Sequence, residues 1–255
     1  HHFNLANIYV YPAQAQVLIA ADTGVTKAGE IGGQIDLFYD FKKESTIGGK
    51  YGTKVALNFS NWNNLKGDYV LSPPDYKTEF FCFGKKYFSD FNLEVTKKVS
   101  SRATYSFAYI NQYYNNRLIN GSARVTVKTN IFAIEGDYKF SKGRAAKIAL
   151  EHMWADTDRK NWAAILVEYN LNTKFSVFAS DMYNYGYEHN PSILIDDTTD
   201  QFDIHFYNFG GAYKKGSTRI AVNYGRQRGG LVCAGGVCRI VPPSTGLGIT
   251  LTKSF

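Results

Sequence analysis

A period-two alternation of apolar and polar residues runs through this chain almost from end to end. Tyr105, Phe107 and Tyr109 alternate with Thr104, Ser106 and Ala108; Phe132, Ile134, Tyr138 and Phe140 alternate with Glu135, Asp137 and Lys139. Ile148, Leu150, His152 and Trp154 follow against Lys147, Ala149 and Glu151, and Leu247, Ile249 and Leu251 against Gly248, Thr250 and Thr252. Side chains that switch face at every residue belong to β-strands with one greasy face and one wet face. Counting such runs along the 255 residues gives about twelve strands, the poorest being the first, around residues 8–18, where Pro12 removes a ladder donor.

The pattern predicts an all-β chain folded as a single domain over residues 1–255, with residues 1–28 forming the poorer strand and an outer loop. Composition fits: Tyr 19 and Phe 18 against Met 2 and Pro 6, with mean hydropathy −0.29. No apolar run approaches the roughly 18 residues of a spanning helix. A sheet that is hydrophobic at only every second residue can still cross a bilayer as a closed barrel.

The connections separate two architectures. A soluble sandwich or calyx buries the greasy parity, whereas a membrane barrel turns it outward. The predicted connections alternate in length. Those at 97–101, 141–144, 172–174 and 214–217 are short; those at 61–76, 114–122, 155–160, 184–200 and 229–245 are long, and 42–50 is somewhat long for its phase. Short turns at one end and long loops at the other are what outer-membrane barrels show. Aromatic residues near strand ends (Tyr39, Phe41, Trp62, Tyr113, Trp154, Trp162, Tyr183, Tyr213, Tyr224) read as interfacial girdles. The reading is therefore an antiparallel transmembrane β-barrel of outer-membrane type, with further strands upstream of His1 as an open question.

Net charge is +7. Lys42, Lys43, Lys97, Lys98, Lys142, Arg144, Lys174, Lys214 and Lys215 fall in the short connections, and acids such as Asp156, Asp158, Asp196 and Asp197 in the long ones. Charges sorted in this way make a wetted rim or a docking face for an acidic partner rather than a nucleic-acid surface. The wet parity carries Asp36, Lys54, Glu94, Glu135, Asp137, Lys139, Lys147, Glu151, Glu168, Asp203 and Arg219, expected to face a lumen and to form cross-strand ion pairs. Cys233 and Cys238 flank a flexible Ala-Gly-Gly-Val and read as a loop-stapling disulfide, with a metal or redox pair as the alternative; Cys82 is left as a reduced, packed thiol. Asp203 and His205 share the wet parity of one strand and Ser176 and Ser180 face the same way on its hairpin partner, so a Ser-His-Asp triad is possible on paper, given the right register and an oxyanion hole. There is no phosphate loop, nucleophile elbow or paired-cysteine metal framework, so no enzyme, metal or cofactor is expected.

The cysteine loop with its flanks, Gly225-Arg226-Gln227-Arg228 before it and Val241-Pro242 after it, precedes a last strand ending in Phe255. Together with Glu30-Ile31-Gly32-Gly33-Gln34 and Gly48-Gly49-Lys50-Tyr51-Gly52-Thr53-Lys54, it resembles the C-terminal portion of uncharacterised outer-membrane barrel proteins from Bacteroidota. The resemblance implies location in the bacterial outer membrane, Phe255 as part of an insertion signal, and contact with outer-membrane lipid and lipopolysaccharide. The expected function is a non-enzymatic structural or docking subunit of a cell-envelope assembly with membrane or periplasmic protein partners. The alternatives are a porin-like channel for small solutes and, distantly, a barrel hydrolase.

Overall fold

The computed structural model describes residues 3–11, 19–20, 25–26, 29–71, 74–120, 126–186, 204–234 and 237–253. A 3-10 turn, Leu5–Asn7, comes first, followed by two short strands, β1 (Ile19–Ala20) and β2 (Val25–Thr26). The main strands begin with β3 (Glu30–Phe41), β4 (Thr53–Leu71), β5 (Pro74–Lys98), β6 (Ala103–Tyr114), β7 (Val127–Ser141) and β8 (Arg144–Ala155). They continue with β9 (Trp162–Asn170), β10 (Phe175–Asn184), β11 (Ile204–Lys215) and β12 (Thr218–Gln227). A small hairpin of β13 (Gly230–Ala234) and β14 (Val237–Val241) precedes the last strand, β15 (Ser244–Lys253). The one α-helix among the described residues, α1 (Asn116–Asn120), sits between β6 and β7; no helix there is long and apolar enough to cross a membrane, which says nothing about strands.

Eleven of the strands form one antiparallel sheet in the order β15-β12-β11-β10-β9-β8-β7-β6-β5-β4-β3. It is a meander: each main strand pairs with the next, and the β13–β14 hairpin is an excursion between β12 and β15. A meander puts alternate connections at opposite ends. The tight turns β7–β8 and β11–β12 carry Gly143 (φ +79°) and Gly216 (φ +58°), where a left-handed backbone closes the hairpin without Cβ strain. β3 and β15 stand at the two ends of the strand order, and among the described residues they do not pair with each other.

The two faces differ sharply. Ile35, Leu37, Phe107, Ile134, Ile148, Leu150, Ile165, Val177, Phe209, Val222, Leu247, Ile249 and Leu251 are all exposed, so the greasy parity is turned away from the core across the sheet. The opposite face holds the buried side chains: Ile110, Val127, Ile131, Met153 and Trp162 are fully buried there, with Ala108, Ala133 and Ala164 beside them. They cover the N-terminal segment, of which Phe3, Leu5, Ala6 and Tyr9 are buried. This core sits toward the end of the strands that carries α1 and the longer connections. Toward the tight-turn end the same face becomes charged and wetter, with Glu135, Asp137, Lys139 and Lys147.

Three expectations change. The first strand, expected over residues 8–18, is not one as far as it can be followed: Leu5–Asn7 form a 3-10 turn and residues 8–11 are irregular, while 12–18 lie outside the described residues. The expected loop 61–76 is mostly strand, since β4 and β5 run for 19 and 25 residues with register shifts between Trp62 and Gly67. Asn61, Asn63, Asn64 and Gly67 weaken strand propensity without stopping a hairpin whose two arms continue to pair. Trp62 and Trp162 are not girdle residues. Trp62 is opposite Phe88 and packs on the core, and Trp162 is wholly buried, because each lies on the parity that faces inward.

Ile131→Ala should destabilise the protein by roughly 2–4 kcal/mol in equilibrium urea denaturation, because the core around the N-terminal segment cannot collapse into the cavity. Ile249→Ala opens no enclosed cavity on its exposed face and should cost less than about 1 kcal/mol.

Candidate functional site

The interior of the sheet is built around the segment Phe3–Tyr11, which crosses its concave face and has no ladder of its own. Glu151 on β8 accepts from the backbone N–H of Asn4 (2.9 Å) and of Leu5 (2.7 Å), one carboxylate oxygen for each. Two free N–H groups at the start of a 3-10 turn need acceptors, and a buried carboxylate needs donors; each solves the other's problem. One turn further on, Gln112 Nε2 donates to the carbonyl of Ala6 (3.0 Å) and to Asp90 Oδ2 (2.9 Å), while Thr129 Oγ1 donates to Gln112 Oε1 (3.3 Å). Tyr9 OH donates to Asp158 (2.8 Å), Tyr11 OH to Glu30, and Arg228 Nη2 to the carbonyl of Asn7 (3.5 Å). The segment is thus fastened to β3, β8, to β5 and β7 through Gln112 of β6, and to the loops after β8 and β12.

Burial, with the negative charge of Asp158 adding to it, pushes the Tyr9 phenol well above its ordinary range. Burial and the neighbouring Arg159 hold the Arg228 guanidinium below its ordinary value.

Two clefts flank the segment. One, of about 770 Å³, opens between Asn4, Asn7 and Val10 and the inner faces of β10, β11, β12 and β15. The other, of about 430 Å³, lies between the same segment and β3–β6, where it meets Asp36, Asp90 and Glu94. The cleft on the β3 side is therefore acidic. The one on the β15 side carries Arg226 and Arg228 as its charged lining residues.

Ladder register places Asp36, Lys54, Glu94, Glu135, Asp137, Lys139, Lys147, Glu151, Glu168 and Arg219 on the inner face of the sheet; Asp203 lies outside the described residues. Within the set, Lys147 Nζ meets Glu135 Oε2 at 2.8 Å, both largely shielded, whereas Lys54 stands 4.0 Å in the open from Asp40, which is outside the set. Asp36 accepts from Asn58 and, at 2.9 Å, from Gln34. Glu151 is not a member of an ion pair there but the anchor of the N-terminal segment.

The paper triad comes apart. Ser180 is opposite Asn208 and faces inward, whereas His205 is opposite Tyr183, stacks on it with ring centroids 4.1 Å apart, and meets Asp181 at 2.6 Å on the outer face. Ser and His on opposite faces of one sheet cannot share a proton. His152 likewise faces outward, bonded to Tyr185 and set against Trp154. Cys82 is a free thiol, and Cys233 and Cys238 are direct partners in the β13–β14 register. Phe255 lies outside the described residues. The sequence reading missed Gln112, Asp90, Tyr9, Arg226 and Arg228; the signal available for the first two was their place on the wet parity of β5 and β6, flanked by apolar inner residues.

Residues 1–255 match one protein family, described as a family of unknown function (DUF6029). No curated protein and no solved structure matches the chain.

Glu151→Ala should release the N-terminal segment at a cost on the order of 2–3 kcal/mol, since it leaves the buried N–H of Leu5 and the part-buried N–H of Asn4 without their acceptor. Hydrogen exchange read by mass spectrometry should show the Asn4 and Leu5 amides exchanging at least tenfold faster, with β12 and β15 unchanged.

Proposed function

We propose that this chain, which belongs to the DUF6029 family of unknown function, is a plugged transmembrane β-barrel of the bacterial outer membrane. In this reading it is a non-enzymatic structural or docking subunit of a cell-envelope assembly. The observation that carries the membrane reading is the exposed greasy face: on the central strands Phe107, Ile134, Ile148 and Leu150 are 45 %, 49 %, 47 % and 47 % exposed while Ala108, Ala133 and Ala149 on the opposite parity are buried, and the exposed parity runs on to Leu247 and Ile249 at one end of the sheet and Ile35 and Leu37 at the other. Soluble monomers rarely leave more than a few hundred Å² of contiguous apolar surface bare. Lipid is the solvent that such a face fits, and the concave face already has its occupant in the N-terminal segment. In a bilayer the outer edges of β3 and β15 must also find partners, with each other or with a further strand, because no water is there to satisfy them.

The plug favours a structural or docking role over an open pore, since Phe3, Leu5, Tyr9 and Leu118 fill the interior toward the loop end. The long β4–β5 hairpin adds a protruding element, with Phe80, Phe81 and Phe83 exposed beside Lys85 and Lys86. Aromatic residues among cations are common where a partner or a headgroup layer is met. A channel is the second reading, favoured by the charged inner face at the tight-turn end and by the two clefts that pass the plug on either side. A disulfide between Cys233 and Cys238 completes the proposal. Directly opposed residues of an antiparallel hairpin are about 4.5–5.5 Å apart at Cα, within disulfide range.

Purified without detergent, the protein should aggregate; in detergent or liposomes it should be folded and β-rich. A monomer that stays folded in plain buffer contradicts the membrane reading. Planar bilayers should stay silent for the wild type and give steady conductance only when the plug is released by Glu151→Ala; steady wild-type conductance favours the channel instead. Thiol titration after denaturation without reductant should count one thiol, Cys82, and three after reduction; three in both conditions removes the disulfide.

A further inference from the structure

On the outer face the greasy columns end in a set order at the tight-turn rim. Along β3 the column of Ile35 and Leu37 passes into Tyr39 and Phe41, and Lys42 and Lys43 follow directly. On β7 Ile134 leads to Tyr138 and Phe140, and on β11 Phe209 leads to Tyr213 and Lys215. The rings lie close together. Centroids are 4.7 Å apart for Tyr39 and Phe41, 4.9 Å for Tyr138 and Phe140, 6.0 Å for Phe140 and Tyr169, and 4.7 Å for Phe175 and Tyr213. Apolar, then aromatic, then cationic is the order in which a strand meets hydrocarbon, interface and headgroup phosphate.

Ladder register sorts the cations of this rim by face. Lys97 is opposite Tyr105, Lys215 keeps the parity of Tyr213, and Arg144 keeps that of Ala146 and Ile148, so these three prolong the greasy columns. Lys98, Lys139 and Lys214 take the other parity, that of Asp137 and Arg219, and belong to the inner face. All six are exposed, and none forms an ion pair among the described residues. The rim is also stitched together by backbone. The Lys139 N–H donates to the Arg102 carbonyl and the Lys214 N–H to the Lys174 carbonyl, both at 2.8 Å, so the cations stand on fixed positions. At the loop end the outer columns run into amides instead: Asn111 Nδ2 and Tyr109 OH both donate to Asn130 Oδ1, at 3.0 and 2.8 Å.

We infer that the tight-turn rim binds anionic phospholipid headgroups, with Lys97, Arg144 and Lys215 reaching the phosphates of the leaflet on that side. The inference rests on the membrane reading above and deepens it by naming the lipid class and the leaflet. Long cationic side chains at the edge of an apolar band lay their stems along it and put their charge at the headgroups. An acidic protein is the other polyanion that suits a basic rim. It would dock end-on, against the inner-parity cations and the turn tips, and would leave the aromatic belt of the outer face without a role.

Native mass spectrometry of the full chain in detergent, titrated with single lipids, measures the preference. Phosphatidylglycerol should bind at least tenfold tighter than phosphatidylcholine. The triple variant Lys97→Gln, Arg144→Gln, Lys215→Gln should lose most of that preference. Lys98→Gln, Lys139→Gln, Lys214→Gln removes as much charge from the same rim and should keep it. Equal losses in the two variants would reduce the effect to net charge and overturn the assignment. A polyglutamate peptide that binds tighter than phosphatidylglycerol, and is lost with the inner-parity variant, would make the rim a protein-docking face and overturn it too. Equal binding of the two lipids by a chain that floats with vesicles overturns this inference alone. Failure to float with vesicles of either lipid removes the membrane reading and the inference with it.

Discussion

Everything in this molecule follows from a sheet whose two faces want different surroundings. Eleven strands are joined by antiparallel ladders, shifted in register only in the outer part of β4–β5 and at the β7–β8 turn, and along each the side chains sort into a greasy outer row and a mixed inner row. Register is locked by that sorting: a slip of one residue on any strand would turn its greasy row onto the buried carboxylates and amides. Among the described residues no second layer covers its greasy face. Among these residues the buried core lies on the other side, and the lipid proposed above is the apolar medium that would cover the exposed row.

The inner face solves a different problem. A few residues of irregular backbone are held inside by side chains that supply what a ladder would otherwise give. Glu151 takes the N–H groups of Asn4 and Leu5, Gln112 satisfies the Ala6 carbonyl, and Tyr9 reaches Asp158. The apolar residues between those anchors, Phe3, Leu5 and Ala6, then make the compact core. Because the segment crosses the middle of the concave face, it divides the remaining space into an acidic cleft toward β3 and an arginine-bearing cleft toward β15. A structural anchor therefore also shapes the two places where a small molecule could lie.

Much of the sheet was legible in the sequence because strand parity is a local property. All eleven strands of the main sheet correspond to runs of alternating residues, and the glycine turns at Gly143 and Gly216 mark two of their ends. What was not legible depends on distant partners. Residues 3–9 carry no periodicity of their own; their conformation is set by Glu151 and Gln112, more than 100 residues away in the chain. The β4–β5 extension was hidden by its asparagines, whose low strand propensity is overridden by continued pairing between the two arms. The face of His205 was misjudged because β11 offers aromatic residues on both parities, Phe206 inward and Tyr207 and Phe209 outward; only the register with Tyr183 decides it.

The direction of the greasy face is the claim on which the functional account rests, and it can be read residue by residue. Single cysteines at 247, 248, 249, 250 and 251, in a background with Cys82, Cys233 and Cys238 replaced by serine, would carry a fluorescent label in protein reconstituted into liposomes with a lipid-bound quencher. The account predicts a period of two: strong quenching at 247, 249 and 251, and weak quenching at 248 and 250. Uniform weak quenching along the strand, or the opposite phase, would contradict it.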